Sequence, residues 1–154
     1  VVRRLREIPY TYIGLANPEQ VTQIVVAANQ AEKIGMPKAK YPLMFATMLM
    51  CISPKSGSFD QSWEKLDQDT QNPSQHPMPR GLRDMHYKHS EEITGGGLID
   101  NPFQMPHQIA QQNYMPKGLA GRRYYYPKDN ENERKLGAQY LKLHRFIYNE
   151  DYHE

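Results

Sequence analysis

The sequence has 154 residues, which suffices for one domain with a hydrophobic core and is short for two. Lys and Arg (19) nearly balance Asp and Glu (17), so the net charge of +2 does not predict nucleic-acid binding, and any basic surface must be local. The 12 prolines, the 10 glycines and an apolar content of only 38% indicate a compact portion joined to an irregular portion.

The apolar runs and the single cysteine indicate the cellular environment of the chain. No apolar run reaches the roughly 18 residues that a membrane span needs, and the N-terminus lacks the apolar segment of a signal peptide. The single cysteine, Cys51, excludes an internal disulfide. Because Cys51 lies inside an apolar run, we expect a buried, unreactive thiol in a reducing cytoplasm.

The first half of the chain predicts helices. The opening segment VVRRLREI has helical character, as though it were cut from a longer chain. Asn17 followed by Pro18 predicts a helix start, since an Asn side chain caps free amides and proline suits the first turn. Gly35, with Pro37 beyond it, predicts the end of this helix. Apolar residues recur between them at mostly three- and four-residue steps, so one side of the helix should face a core.

A second apolar helix is predicted directly after Pro42. The segment LMFATMLMCI, residues 43–52, is apolar nearly all round, and Pro54 should end it. Such a pattern is typical of a central helix that neighbours bury on most sides. Together with the preceding helix and the arm, this segment carries more apolar surface than a small bundle needs.

An amphipathic helix is predicted from Ser58 to about Asp69. Its apolar residues Phe59, Trp63 and Leu66 lie on one face, and the preceding SGS can cap its first amides. With the earlier helices it completes a small helical bundle over residues 1–72, so the expected fold class is mostly α.

The sequence changes character at QNPSQHPMPRG. Three prolines within residues 73–79 exclude a helix there, and the glycines at 95–97 continue the interruption. Apolar and aromatic residues remain too frequent for a free linker. We therefore expect residues 73–128 to form a long, irregular arm that packs on the bundle.

A C-terminal helix and tail should follow over residues 129–154. Helical spacing of apolar residues predicts the helix itself from about Asn130 to Tyr148. The residues that carry this pattern are Leu136, Tyr140, Leu143 and Ile147.

No set of residues predicts catalysis, a metal site or a cofactor site. His86 and His89 could share a helical face, but no Cys or acidic residue stands at a spacing that is diagnostic of a metal site. The glycines at 95–97 lack the Lys-Ser/Thr of a phosphate-binding loop. The apolar setting of Cys51 argues against a thiolate nucleophile.

The segment KGLAGRRYYYP, residues 117–127, allows two interpretations. Arginines can pair with phosphates while bases stack on tyrosine rings, as in proteins that bind single-stranded DNA. Alternatively, the tyrosines anchor the arm and the arginines pair with acids or carbonyls, which is the interpretation that the flanking Gly121 and Pro127 favour. The candidate residues for contact with DNA or a partner are Arg83, Lys117, Arg122, Arg123, Tyr124 and Tyr125.

Five sequence blocks together carry a family resemblance. They are IGLANP at 13–18, AEKIGMPKAKYPL at 31–43, SPKS at 53–56, LRDMHY at 82–87 and YMPKGLAGRRYYYP at 114–127. No single block would be specific. With the blocks in this order and spacing, the chain resembles the C-terminal part of the replication-associated recombination protein A family, AAA+ ATPases related to clamp-loader subunits.

The resemblance implies a helical domain like the clamp-loader collar, through which four copies assemble. The implied function is oligomerisation, as a homotetramer, of an ATPase that acts in DNA replication, recombination and repair at stalled forks. An alternative is a module of the same ATPase that binds DNA or docks single-strand-binding protein.

The resemblance also sets the expected chemistry and partners. This chain contains no Walker A motif, so the ATPase module with its ATP and Mg is absent, and the fragment is expected to be no enzyme and to hold no cofactor. The implied partners are further copies of the chain, with single-strand-binding protein and DNA reached through the full-length protein. The implied location is cytoplasmic and nucleoid-associated, with no membrane contact.

Overall fold

The computed structural model describes residues 1–71, 76–79, 82 and 100–148, and this part of the chain is mostly helical and contains five α-helices. The mostly α fold expected from the sequence is confirmed. The chain divides into two compact units, one of residues 1–65 with 124–138 and the other of residues 66–123 with 139–154. Within the described residues, every helix is too short or too polar to span a membrane.

Three helices form the core of the first unit. The helix α2 (Pro18–Ile34) packs against both α1 (Val2–Tyr12) and α3 (Lys40–Ile52). Small side chains on the facing surfaces let these helices approach closely. The buried core cluster consists of Leu5, Ile13, Val21, Ile24, Ala27, Ala28 and Ala46.

Local signals set the ends of α2. The Asn17 side chain accepts a hydrogen bond from the Gln20 N–H at 3.1 Å, and Pro18 occupies the first turn. At the other end Gly35 adopts a φ of 70°, and its N–H donates to the Ala31 carbonyl at 3.1 Å. A positive φ favours glycine, so both predicted ends are confirmed.

The polar contacts between α1 and α2 come from one arginine. The Arg6 guanidinium donates to the Asn29 side chain at 2.7 Å and also pairs with Glu32. Both partners lie on α2, one turn apart. This pair of contacts fixes the register of α1 on α2 beside the apolar core.

The helix α3 differs from its prediction. It begins at Lys40, before Pro42, and ends at Ile52, and Ala46 is its only buried residue. The expectation that neighbours bury this helix on most sides is wrong for one chain, because α1 and α2 cover a single side of it. Its other side remains exposed.

The helix α4 (Ser58–Thr70) has the bounds that the sequence predicted. Its Phe59 ring lies so close to Gly14 that an added Cβ at Gly14 would stand 3.3 Å from the ring. Gly14 also has a φ of 48°, so both space and backbone geometry favour glycine there. Trp63, on the same predicted face, is 68% exposed, so that face is covered only in part.

Residues 100–128, which form most of the described part of the predicted arm, are irregular. They contain single-turn 3-10 helices at Pro102–Gln104 and Lys117–Leu119, a turn at Pro106–Gln108 in which His107 and Gln108 have positive φ, and no α-helix. The Gln112 side chain bonds both the N–H and the carbonyl of Asp100, at 3.3 Å and 3.0 Å. That the arm packs on the bundle stays a prediction.

The last helix, α5 (Glu131–Tyr148), confirms the predicted C-terminal helix. Its second half carries a row of rings in which the His144 centroid lies 5.8 Å from Tyr140 and 4.7 Å from Tyr148. The Gln111 side chain donates to the Phe146 carbonyl at 3.1 Å, so segment 109–112 is tied to this half of the helix.

Candidate functional site

The segment of arginines and tyrosines makes intramolecular contacts. Arg122 donates to the Asp69 carboxylate at 2.6 Å, and the Asp69 side chain is only 10% exposed. A nearly buried carboxylate needs such a partner, because a lone charge is costly to remove from water. The predicted pairing of this arginine with an acid is therefore confirmed.

The tyrosines are also engaged. The Tyr125 hydroxyl donates to the Glu133 carboxylate at 3.1 Å. The Lys65 ammonium bonds the Tyr126 hydroxyl and lies 4.7 Å from the centroid of that ring. Tyr124 has an intramolecular partner as well. These contacts agree with the anchoring interpretation.

Five of the six predicted contact residues lie in the described part of the chain, and they are divided between the two units. Lys117, Arg122 and Arg123 belong to the second unit, and Tyr124 and Tyr125 belong to the first. Lys117 is exposed within its 3-10 turn, and Arg123 is exposed but has an intramolecular partner. Arg83 lies outside the described residues, as do His86, His89 and the glycines at 95–97. Contact of this segment with DNA stays a prediction.

A buried carboxylate organises the first unit. Glu133 is 0% exposed. Its oxygens accept hydrogen bonds from the Lys128 N–H at 3.1 Å, from the Asn130 amide at 3.0 Å and from Tyr125. The Ser56 hydroxyl is a further donor. Glu133 thus joins the start of α5 to segment 125–130 and to the loop before α4.

This network shifts the pKa values of Glu133 and Tyr125. Burial alone would raise the pKa of Glu133, but donors from Ser56, Lys128, Asn130 and Tyr125 outweigh it and hold the pKa below its ordinary value. Burial, together with the charge of Glu133 and the hydrogen bond to it, raises the pKa of Tyr125 to about 12. The pair therefore consists of a carboxylate and a neutral phenol at physiological pH.

Sequence reasoning did not single out Glu133, although a local signal was present. Asn130 precedes α5 and its side chain accepts from the Glu133 N–H at 2.9 Å, while the Asn130 amide donates back to the carboxylate. An Asn followed three residues later by Glu, ahead of an apolar pattern, is typical of a helix start. That signal predicts the cap but not the burial, which depends on Ser56 and Tyr125.

The exposed side of α3 carries five large apolar or aromatic residues. Its residues recur at three- and four-residue steps and so form one stripe, which we call the α3 face. Each of them is between 50% and 68% exposed. The α3 face consists of Tyr41, Met44, Phe45, Met48 and Ile52.

A groove runs along the α3 face. It has a volume of about 460 Å³ between α2 and α3, and Val26, Ala27, Tyr41, Pro42 and Phe45 form its apolar lining. Contiguous apolar surface is a feature that interaction sites of proteins share. Helices pack by fitting rows of side chains into grooves, and the α3 face has both a row of large side chains and a groove beside it.

Cys51 stands at the edge of the α3 face, and its thiol is exposed. The expectation of a buried thiol is wrong, because the apolar run around Cys51 faces outward. Within the described residues, no group of three or more His, Cys, Asp or Glu side chains could hold a metal ion.

Comparison with known proteins gives consistent matches over most of the chain. Replication-associated recombination protein A of Bacillus subtilis (strain 168) is 34% identical over 144 residues, which cover 93% of this chain and 34% of that protein. An uncharacterized AAA domain-containing protein of Mycobacterium tuberculosis is 27% identical over 96% of this chain and 32% of that protein. Replication-associated recombination protein A of Haemophilus influenzae is 22% identical over 93% of this chain and 32% of that protein.

The chain thus spans about a third of the length of these curated relatives. A protein family described as MgsA AAA+ ATPase C terminal matches residues 1–144, nearly the whole sequence. The match includes all five helices of the described structure, apart from the last residues of α5. The chain belongs to the MgsA AAA+ ATPase C-terminal family.

Proposed function

We propose that this chain is an oligomerisation domain, which joins copies of a AAA+ ATPase into a homotetramer that acts in replication-associated recombination. The α3 face carries the proposal. Its five large apolar side chains are half or more exposed in a single chain, next to a groove that could receive the same kind of side chain from another copy.

The free energy gained by burying the α3 face can be compared with the cost of association. Full burial of a Met, Phe or Ile side chain stabilises by about 1.5–3 kcal/mol. Covering the exposed part of five such side chains therefore yields roughly 5 kcal/mol for each copy. Each contact that buries this surface on both partners gains about twice this amount, against an association cost of about 4–15 kcal/mol.

Assembly would set the relative orientation of neighbouring copies of an ATPase. In enzymes that transfer phosphoryl groups, an arginine supplied by a neighbouring molecule can complete the site. A domain that fixes how copies stand beside one another thereby controls whether hydrolysis is possible. Closed symmetry is expected, since it leaves no α3 face uncovered.

Size-exclusion chromatography with light scattering tests the proposal. We expect the chain to reach a mass of four copies as its concentration rises. The double variant Met44→Glu with Met48→Glu places charges on the α3 face and should elute as one copy. Leu143→Glu makes the same kind of change at an exposed apolar position of α5, outside the α3 face, so it serves as the matched control and should keep the wild-type mass.

Each outcome bears on the proposal. A wild-type chain that remains a single copy at every concentration contradicts it. So does a double variant that still forms four copies, because assembly would then use another surface. Far-UV circular dichroism of each variant checks that a lower mass does not come from unfolding.

A further inference from the structure

The helix α3 is rich in sulfur. Three of the chain's eight methionines lie in it, together with the single cysteine. Met44 and Met48 stand about one helical turn apart on the α3 face and are 64% and 62% exposed. Met50, by contrast, is half-buried and packs against the core cluster. The surface proposed to join copies therefore presents two thioethers to solvent in a single copy.

Met44 and Met48 share a small groove of about 260 Å³ on α3, which they line together with Leu43 and Thr47. The Thr47 hydroxyl donates to the Leu43 carbonyl at 2.8 Å, so its donor is already used within the helix. The side chains of leucine and methionine have no hydrogen-bond donor. A polar atom placed in this groove and then covered by another copy would find no free side-chain donor among the described residues that line it.

Oxidation of a methionine places such an atom there. Hydrogen peroxide transfers one oxygen atom to a thioether: the O–O bond breaks, an S–O bond forms, the sulfur loses two electrons and the peroxide is reduced to water. The product, methionine sulfoxide, is polar and returns to methionine by enzymatic reduction. Because a buried polar group without a partner is costly, a sulfoxide at residue 44 or 48 opposes burial of the α3 face.

We propose that peroxide oxidation of Met44 and Met48 dissociates the assembly, so that the α3 face is a redox-sensitive contact between copies. The inference rests on the proposed oligomerisation. Copies that cover the α3 face shield both thioethers, and a sulfoxide at either position disfavours the covered form, so oxidation and assembly oppose one another. Dissociated copies are therefore oxidised first, and reduction restores their ability to assemble.

Light scattering of the full chain before and after treatment with hydrogen peroxide tests the proposal. All measurements use Cys51→Ser, which excludes oxidation of the thiol as a cause. Treatment should move the mass from four copies toward one and raise the concentration needed for assembly about tenfold or more. Methionine sulfoxide reductase should restore the original mass. Peptide mapping by mass spectrometry should find Met44 and Met48 oxidised before Met50.

Two double variants identify the methionines responsible. Met44→Leu with Met48→Leu keeps the α3 face apolar at a similar volume but removes both sulfur atoms, so its mass should not change with peroxide. Met36→Leu with Met78→Leu is the matched control. It removes two methionines that are 74% and 58% exposed outside the α3 face, and it should respond to peroxide as Cys51→Ser alone does.

The outcomes separate this proposal from the proposed function. Assembly that persists once Met44 and Met48 are oxidised overturns this proposal alone. So does a loss of mass that Met44→Leu with Met48→Leu does not prevent or that the reductase does not reverse, because other residues or unfolding would then be the cause. An untreated chain that stays a single copy at every concentration contradicts the proposed function, and this proposal with it.

A partly oxidised sample provides a test that needs no substitution on the α3 face. Its assembled and dissociated fractions are separated by size-exclusion chromatography and mapped by mass spectrometry. We expect the sulfoxides of Met44 and Met48 to be enriched in the dissociated fraction and those of Met36 and Met78 to be equal in both. Equal amounts of all four sulfoxides in the two fractions would overturn the proposal.

Discussion

At the scale of single residues, Glu133 shows how a fold accommodates a carboxylate with no access to water. The cost of removing a charge from water is offset only where donors surround it. Here the Ser56 and Tyr125 hydroxyls, the Lys128 N–H and the Asn130 amide supply those donors. The folded structure therefore contains Glu133 in its ionised form, and protonation of this carboxylate should weaken that structure.

We predict that acid destabilises the chain through Glu133. Because the folded state lowers the pKa of this carboxyl below 4.5, its contribution to stability is present above the unfolded pKa and is lost as the pH falls through the folded pKa. Glu133→Gln should reduce the free energy of unfolding near neutral pH by about 1–3 kcal/mol. It should also reduce the loss of stability between about pH 6 and about pH 3. Urea denaturation at several pH values measures both effects.

Glu131→Gln is the matched control for this prediction. Glu131 lies two residues earlier on α5, and its exposed side chain pairs with Lys135 at 2.8 Å. Screening by water makes such a surface pair weak, so this variant should stay close to the wild type at neutral pH. If the acid profile of Glu133→Gln paralleled that of the wild type, the buried carboxylate would not be the source of the acid sensitivity.

Residue roles were only partly predictable from the sequence. The pairing of Arg122 with an acid followed from the properties of guanidinium groups, but its partner Asp69 stands 53 residues earlier, and no local pattern identifies it. The burial of Glu133 likewise depends on Ser56, which is distant in sequence, and on Tyr125, which lies eight residues earlier. The exposure of Cys51 was missed for the reverse reason, since an apolar neighbourhood in sequence indicates burial only when a partner element covers it.

At the scale of elements, helix ends were predictable and helix faces were not. Helix caps and breakers such as Asn17, Pro18 and Gly35 act within one turn, so the local sequence determines where α2 begins and ends. The side that a helix buries depends instead on how many neighbours pack on it. For α3, an apolar pattern on nearly every side predicted a central helix, yet α1 and α2 cover only one side.

Gly137 gives a prediction at this scale. It lies inside α5, where glycine usually weakens a helix, but an added Cβ would stand 2.5 Å from the Pro127 Cγ. The proline ring cannot rotate away, so Gly137→Ala should lower the free energy of unfolding by about 1–3 kcal/mol despite alanine's better helix propensity. Gly57→Ala is the control, because its new Cβ would meet nothing within 4 Å. A more stable Gly137→Ala would mean that Pro127 does not pack there.

At the scale of the whole molecule, the chain combines a small core with a large exposed apolar surface. The core cluster relies on small residues, with three alanines among its seven members, while the largest side chains of α3 remain outside it. Contact with further copies would bury these side chains, which a single chain leaves exposed.

The thiol of Cys51 offers a direct probe of this assembly. In a single copy it is exposed, at the edge of the α3 face, and should react readily with Ellman's reagent. We predict that its labelling rate falls several-fold as the protein concentration rises, because the copies that cover the α3 face also exclude the reagent, and mass action favours the covered form. The double variant Met44→Glu with Met48→Glu should label at a rate that does not depend on concentration. If light scattering shows four copies while Cys51 of the wild type still labels at its dilute rate, the contact lies on a surface other than α3.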